Sequence, residues 1–189
     1  MDFPISRRIA PNLTYVAKTG STNADLVTNN PNTDDFQVLV AGFQTAGRGR
    51  SGRDWLAPAG SSLFVSVLLK PAGVPATAFS WLPLLAGLAM TKTVRDYLPT
   101  SPVSLKWPND VLVGDSKVSG VLSELMGDAS GVVIGTGLNV RQTSEELPIA
   151  TATSFHLEGS NASDHDEILA TYLSHLRELY ESWVEAKGD

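Results

Sequence analysis

The chain has 189 residues, 42% of them apolar and 18% charged, a composition that favours one globular domain and excludes an intrinsically disordered chain. The 14 basic and 20 acidic residues give a net charge of −6, which argues against a generic nucleic-acid-binding protein. The absence of cysteine excludes disulfides, thiolate metal ligands and a cysteine nucleophile, and it fits a reducing compartment. Residues 81–90, the most apolar stretch, are too few to cross a bilayer, and no secretory signal begins the chain, so we expect a cytoplasmic protein without membrane contact.

A short helix is predicted soon after residue 20. Ser21-Thr22-Asn23-Ala24-Asp25 is typical of a helix start, with Thr22 as N-cap and Asp25 in the acidic position of a capping box. The hydroxyl and amide groups of residues 21–23 are also able to bind a polar ligand, but capping is the simpler interpretation. The helix is predicted to end in the asparagine-rich turn at residues 29–32.

Two strands are predicted on either side of a long loop. Residues 36–42 have the composition of a strand. In residues 62–70 every second side chain from Leu63 to Leu69 is aliphatic, which predicts a half-buried strand. Residues 47–60, which lie between these strands and are rich in glycine and arginine, are predicted to be a loop.

The second half of the chain is predicted to contain two helices and four strands. Residues 80–97 have helical spacing, with an inward face made of Trp81, Leu84, Leu85, Leu88, Val94 and Leu98. The strands are predicted at residues 103–107, 111–113, 118–124 and 132–138, with a hairpin turn at residues 114–116. Residues 164–186 are predicted to be an amphipathic helix. This order of elements predicts an α+β domain with a mixed β-sheet and helices packed on it.

The most unusual segment is the loop that begins at Gly47. Three glycines alternate with three arginines, and a tryptophan follows: Gly47, Arg48, Gly49, Arg50, Gly52, Arg53 and Trp55. Glycine backbones can approach a phosphate closely, guanidinium groups bind phosphate or carboxylate, and Trp55 can stack on a base or an adenine ring. A flexible basic loop that touches RNA is an equal alternative at this point, and the Walker spacing is absent.

Two further segments carry residues suited to a binding site. Leu105-Lys106-Trp107-Pro108-Asn109-Asp110 and Lys117-Val118-Ser119-Gly120-Val121-Leu122 are predicted to pair so that Asp110 and Lys117 face one pocket. The simpler interpretation is a turn at residues 109 and 110 and a solvated edge at Lys117. In Gly135-Thr136-Gly137-Leu138-Asn139, two glycines within a strand predict a bulge or the close approach of another group. The histidines lack the spacing of a metal site, and we assign them no role.

In combination and in this order, these segments resemble the catalytic domain of biotin protein ligases. The likeness rests on residues 21–23, Gln44, and residues 47–55, 105–110, 117–122 and 135–139, and it covers roughly residues 14–183. It implies the fold of class II aminoacyl-tRNA synthetase and biotin ligase catalytic domains, a mixed β-sheet with helices packed on it, as one domain over residues 1–189. No helix-turn-helix precedes residue 14 and the usual C-terminal β-barrel is absent, so we expect no DNA-binding repressor role.

The resemblance implies a two-step reaction. Biotin and ATP with Mg²⁺ would form biotinyl-5′-adenylate and pyrophosphate. The amine of one lysine in the biotin carboxyl carrier domain of a biotin-dependent carboxylase would then take the biotin, with no nucleic acid or membrane as partner. The first step needs positive charge and no base, because its nucleophile is a carboxylate that approaches a phosphate anion.

The resemblance also assigns roles to individual residues. The expected catalytic residues are Arg48, Arg50, Lys117 and Asp110, the last of which also orients the acceptor lysine. The residues expected to contact biotin are Ser21, Thr22, Asn23 and Gln44 at its ureido end, and Gly47, Arg48, Gly49, Arg50, Lys117 and Gly120. Those expected to contact ATP or the adenylate are Arg50, Trp55, Asn109, Lys117 and Asn139, with Trp55 against the adenine. Gly20 and Ser119 depart from the family pattern, which usually has an acidic and a small apolar residue there.

Three alternatives stay open. A non-catalytic biotin-binding or sensor protein would bind biotin without releasing pyrophosphate from ATP. A lipoate ligase shares the fold but not the loop of residues 47–55, and the octanoyl-transferring enzymes need the cysteine that this chain lacks. An RNA-binding module is disfavoured by the net charge and would show a salt-sensitive gel shift.

Overall fold

The computed structural model describes residues 1–29 and 34–189, which form one seven-stranded β-sheet with helices packed on it. The helices are α1 (Ser6–Ile9), α2 (Thr22–Asn29), α3 (Leu82–Tyr97) and α4 (His165–Glu185). The strands are β1 (Thr14–Val16), β2 (Gln37–Ala41), β3 (Ser62–Leu69), β4 (Val103–Lys106), β5 (Asp110–Val113), β6 (Ser116–Leu125) and β7 (Val132–Asn139). Short 3₁₀ helices lie at Arg50–Gly52 and Ala76–Trp81. The turn predicted at residues 29–32 lies mostly outside the described residues.

The strands lie in the order β1-β2-β3-β7-β6-β5-β4. β1 and β2 are parallel and are connected through α2, whereas every other neighbouring pair is antiparallel. The predicted mixed sheet of an α+β domain is therefore confirmed, as are the six predicted strands, although α1 and β1 were not predicted. Gly114 turns the β5–β6 hairpin with a φ of +57°, a conformation that favours glycine.

The two long helices cover one face of the sheet, and one of them presents a partly different side from the one its sequence predicts. In α4 the apolar stripe is buried, namely Ile168, Leu169, Tyr172, Leu173, Leu176, Tyr180 and Trp183. The predicted inward face of α3 is partly wrong, because Trp81 and Leu88 are 55% and 39% exposed, whereas Val94 and Leu98 are buried as predicted. Leu82, Ala86, Ala89 and Met90, which the prediction left out, are also buried. Gly87 explains the rotation, because a Cβ there would lie 2.8 Å from Leu105 Cδ1 of β4. None of the helices in the described part of the chain is long and apolar enough to span a membrane.

Strand β3 corrects a second expectation, that of a half-buried strand, because it is buried on both faces. Its side chains from Leu63 to Leu69 at every second position face the main core, as predicted. On the reverse face Ser66 lies beneath the start of α2, and Leu68 joins a second apolar cluster with Leu26 of α2. The alternating pattern did not reveal α2 as a second covering layer, because serine on that face is equally typical of a solvated strand.

The predicted capping box of Thr22 and Asp25 is wrong. The start of α2 is held instead by contacts with other segments of the chain. Thr22 is the first helical residue, and its N–H and Oγ1 donate to Gln44 Oε1 at 2.8 and 3.1 Å. Asp25 accepts a 2.5 Å hydrogen bond from Thr19 Oγ1. Gln44 follows β2, and the parallel pairing of β1 with β2 brings it to the helix start. A side chain from another element thus satisfies the free backbone donor of the first turn.

Candidate functional site

Two adjoining clefts lie on the face of the sheet opposite α3 and α4. The smaller, of about 490 Å³, lies between the start of α2, the loop of residues 47–55 and strands β6 and β7. The larger, of about 1240 Å³, opens beside it toward residues 148–152. The residues that line both are Gly49, Arg50, Trp55, Asn109 and Lys117. These shared residues stand between the clefts, so one elongated ligand can contact them from both sides.

Three glycines on β6 and β7 form the floor of the smaller cleft. A Cβ on Gly137 would lie 2.6 Å from Trp55 Cε2, and one on Gly120 would lie 2.9 Å from Trp55 Cζ3. A Cβ on Gly135 would lie 2.1 Å from Asn23 Oδ1. β7 keeps an unbroken register with both neighbouring strands, so the predicted close approach is confirmed and the alternative of a bulge is wrong.

The start of α2 supplies a buried polar wall to the smaller cleft. Ser21, Thr22, Asn23 and Gln44 are each at most 9% exposed. Ser66 Oγ of β3 lies 2.7 Å from Thr22 Oγ1 and 2.6 Å from Asn23 Oδ1. Because each group holds its neighbour by a hydrogen bond in a buried place, the wall presents hydroxyl and amide groups at fixed positions.

Three cations converge on the clefts, and each has a partner across the site. The partners are Glu124 for Arg48 at 2.8 Å, Asn109 for Arg50 at 3.0 Å and Asp110 for Lys117 at 2.7 Å. Lys117 Nζ also lies 5.3 Å from the centroid of the Trp55 ring, within range of a cation–π interaction. The prediction that Asp110 and Lys117 face one pocket is confirmed, and the simpler interpretation of a solvated edge is wrong. This arrangement suits an anionic ligand.

The loop of residues 47–55 folds back on itself and returns Trp55 to the cleft. Trp55 N–H donates to Gly47 O at 2.9 Å, and Gly49 N–H donates to Arg53 O at 2.6 Å. A Cβ on Gly47 would lie 2.5 Å from Trp55 O, so a side chain there would push the two arms apart. The tip turns with a φ of +56° at Ser51. The fold of the loop thus places Arg48, Arg50 and Trp55 at the smaller cleft.

The structure brings the predicted site residues to these clefts with one exception. Those lining the smaller cleft are Ser21, Thr22, Asn23, Gln44, Arg48, Gly49, Arg50, Trp55, Asn109, Lys117 and Gly120. Asp110 and Asn139 line the larger one. Gly47 lines neither of the two and closes the loop behind them. The Asn139 amide donates to Thr153 O at 2.9 Å and accepts from Gln142 Nε2 at 3.0 Å, so it is held by the segment that follows β7.

Sequence reasoning missed three parts of the site. Glu124 and Ser66 form hydrogen bonds with Asn23 of the candidate site. The sequence signal for Glu124 is its place two residues beyond Leu122, on the face of β6 that carries Gly120. Residues 148–152 also border the larger cleft. This segment runs beside Lys117, whose N–H donates to Thr151 O at 2.7 Å and whose carbonyl accepts from Thr153 N–H at 2.8 Å. Nothing in the local pattern of these residues indicated that placement.

The described residues contain no group of three or more metal-binding side chains. Asp54 and Asp110 both line the larger cleft, and Asp110, next to Asn109, is the one paired with Lys117 between the two clefts. His165 lies at the start of α4, where burial and the nearby Arg141 lower the pKa of its imidazole. A neutral histidine at that position serves packing, and none of the histidines lines the two clefts among the described residues.

The sequence is similar to those of a known protein family. A family model described as "Biotin/lipoate A/B protein ligase family" matches residues 13–139. A biotin–[acetyl-CoA-carboxylase] ligase of Mycobacterium tuberculosis is 42% identical over 178 residues, which cover 92% of this chain and 66% of that protein. The bifunctional ligase/repressor BirA of Escherichia coli is 33% identical over 168 residues, which cover 85% of this chain and 52% of that protein. The chain therefore spans between half and two thirds of the length of these curated relatives.

Solved structures share the fold over most of the chain. The biotin protein ligase of Aquifex aeolicus in complex with biotin and ATP is 35% identical, with a TM-score of 0.78 over 92% of this chain and 72% of that chain. The biotin protein ligase of Leishmania major in complex with biotinyl-5-AMP is 26% identical, with a TM-score of 0.75 over 92% of this chain and 76% of that chain. The expected catalytic-domain fold is confirmed by these similarities.

Proposed function

Because the chain belongs to the biotin/lipoate A/B protein ligase family, we propose that it is a biotin protein ligase, which activates biotin with ATP and transfers it to a protein lysine. The observation that carries the proposal is the convergence of Arg48, Arg50 and Lys117 on one cleft with a glycine floor and a polar wall. Biotin has a polar ureido ring at one end and a carboxylate at the other. A cleft with neutral donors and acceptors at one end and cations at the other complements both.

In the first step a carboxylate oxygen of biotin attacks the α-phosphorus of ATP. The bond from that phosphorus to the bridging oxygen breaks, and pyrophosphate leaves with the electron pair. Both reactants are anions, so the barrier depends on positive charge near the phosphorus. Arg48, Arg50 and Lys117 supply it with the N–H groups that their present partners leave free. Trp55, beside Lys117, covers the adenine.

In the second step a lysine amine of the acceptor attacks the carbonyl carbon of biotinyl-5′-adenylate. The bond from that carbon to the phosphate oxygen breaks, AMP leaves with the electron pair, and the amine nitrogen releases one proton to the solvent as the amide forms. Asp110 lines the larger cleft and is the carboxylate that orients the incoming amine. The name of the Mycobacterium tuberculosis relative supports a carboxylase carrier domain as the acceptor.

We propose that Mg²⁺ binds together with ATP. Magnesium is usually held by one or two carboxylates together with substrate phosphates and water. One carboxylate, Asp110, with the neighbouring Asn109 amide fits that pattern, and Mg²⁺ would offset phosphate charge there. The cytoplasm is the compartment we propose, since a chain without cysteine fits a reducing environment.

The test is to incubate the protein with biotin, ATP, Mg²⁺ and a biotin carrier domain and to measure the mass of the carrier. We expect one added biotin on one lysine, and pyrophosphate released with biotin even when the carrier is omitted. A carrier whose acceptor lysine is replaced by arginine is the matched control and should gain no mass. Biotin binding without pyrophosphate release would instead identify a biotin sensor, and mass gain from lipoate but not biotin would identify a lipoate ligase.

A further inference from the structure

Glu124 joins two parts of the site that have separate predicted roles. It lies on β6 on the same face as Gly120, and its side chain is 26% exposed. One oxygen, Oε2, accepts from Asn23 Nδ2 at 2.9 Å and from Arg48 Nη2 at 2.8 Å. A single carboxylate oxygen therefore links the start of α2 to the first arginine of the loop at residues 47–55.

Asn23 is a rigid anchor for this link. Its Oδ1 lies 2.6 Å from Ser66 Oγ, and its Nδ2 also donates to Leu122 O at 3.2 Å. It is 3% exposed, and Gly135 leaves the space that its side chain fills. Because the hydrogen-bonding groups of Asn23 are held by the sheet, a carboxylate bound to it has little freedom to move.

The loop of residues 47–55 is held within itself by backbone hydrogen bonds, from Trp55 N–H to Gly47 O and from Gly49 N–H to Arg53 O, but these bonds do not tie it to α2. Glycines alternate with arginines there, and fixing glycine costs more conformational entropy than fixing other residues. The Arg48 side chain is 44% exposed, so it needs a partner to stay over the cleft. Glu124 binds it through Nη2 and leaves the other guanidinium donors free.

We propose that Glu124 is a positioning residue for this site, which anchors Arg48 to Asn23 and thereby favours the position of the loop of residues 47–55 over the smaller cleft. It acts before chemistry, by raising the fraction of ligand-free molecules in which the loop is closed, and it does not touch the reacting atoms. The anion that Arg48 then meets is the carboxylate or phosphate of the proposed function, on which this part of the inference rests.

Two substitutions separate the hydrogen bonds of Glu124 from its charge. Glu124→Ala removes the acceptor for both donors. Glu124→Gln keeps one carbonyl oxygen, which suffices because both donors use the same oxygen in the native side chain. Glu185→Ala, at an exposed position on α4, is the matched control for the loss of one negative charge.

The first measurement is hydrogen–deuterium exchange of the backbone amides of residues 47–55 in the ligand-free protein. We expect roughly three- to tenfold faster exchange in Glu124→Ala, the range for loss of the hydrogen bond that ties Arg48 to Glu124, and rates within about twofold of the native protein in the other two variants. Equal rates in Glu124→Ala and the native protein would overturn the proposal. If Glu124→Ala does not fold, Glu124→Lys keeps the aliphatic stem and repels Arg48, and native-like exchange in that variant overturns the proposal.

The second measurement is pyrophosphate release at varied biotin concentration. Glu124→Ala should raise KM for biotin by about the same factor as the exchange rate and change kcat less than about threefold, because it weakens ground-state and transition-state binding alike. Rescue of KM by Glu124→Gln is expected. A large loss of kcat with unchanged KM would contradict a positioning role. Absence of pyrophosphate release in the native protein would end the proposed function, whereas the exchange experiment would still decide the role of Glu124.

Discussion

The two faces of strands β3, β7 and β6 present side chains of very different size. On one face Val65, Ile134 and Leu138 are at most 1% exposed and pack under α3 and α4. On the other face Ser66, Gly135 and Gly137 leave room for the start of α2 and for Trp55. Both faces share one ladder of backbone hydrogen bonds, so close packing on the first face sets the position of the floor on the second.

This comparison teaches that rigidity and binding space come from the same strands. Large side chains on the site face would fill the cleft, whereas small ones on the core face would leave voids. A substitution should therefore act mainly on stability when it lies on the core face and mainly on activity when it lies on the site face.

The largest expected effect is on the core face. Ile134→Ala removes a fully buried side chain and should lower the free energy of unfolding by about 2–5 kcal/mol, measured by urea denaturation. The KM for biotin of the protein that remains folded should change little. Leu88→Ala, at the exposed position on α3, is the control and should shift stability far less. A native-like unfolding curve for Ile134→Ala would contradict the claim that side chains on the core face mainly determine stability.

The next effect is on the site face. Lys117→Ala should reduce adenylate formation by about 10²–10³-fold, the usual cost of losing one charged contact to a transition state, and should leave the melting temperature close to that of the native protein. Lys117 is a rim residue with a 25% exposed side chain, so its stem is replaceable but its charge is not. Near-normal pyrophosphate release by this variant would contradict its assignment.

A smaller effect is expected at Trp55. Trp55→Ala should weaken the use of ATP by about 1–3 kcal/mol, as for aromatic stacking on bases, and leave the binding of biotin alone nearly unchanged. Calorimetry with biotin alone and initial rates at varied ATP measure the two separately. Because the ring lies on Gly120 and Gly137, an equal loss of biotin binding would show that Trp55 shapes the biotin end of the floor instead.

The smallest expected effect is on the motion of the loop of residues 47–55, and measurements of the stability of the core would not detect it. Arg48, Arg50 and Arg53 are trypsin sites, and we expect brief digestion of the ligand-free protein to cut there first. Biotin with ATP should slow that cut by about tenfold, because an adenylate neutralises the arginines and gives Trp55 a ring to cover. Cleavage that is equally fast or equally slow with and without ligands would rule out this ordering while leaving the ligase assignment intact.

Much of the fold follows from local patterns. The stripe of α4 and the strands between residues 103 and 138 are encoded by periodicity, and their predictions are confirmed. Periodicity failed in part at α3, where Leu88 stays at the surface while the small residues Ala86 and Ala89 are buried beside Leu82 and Met90. It failed at β3 because small residues on a strand do not reveal whether a helix or water covers them.

The candidate site also has some features that the sequence predicts and others that it does not. The motif residues and their likeness to a family could be read from the sequence, because each motif is a short run of neighbouring residues. The contacts of Glu124 and Ser66 with Asn23, the placement of residues 148–152 beside Lys117, and the partner of each cation depend on strand register and loop closure. These are long-range contacts between segments far apart in the chain, so only the tertiary structure decided them.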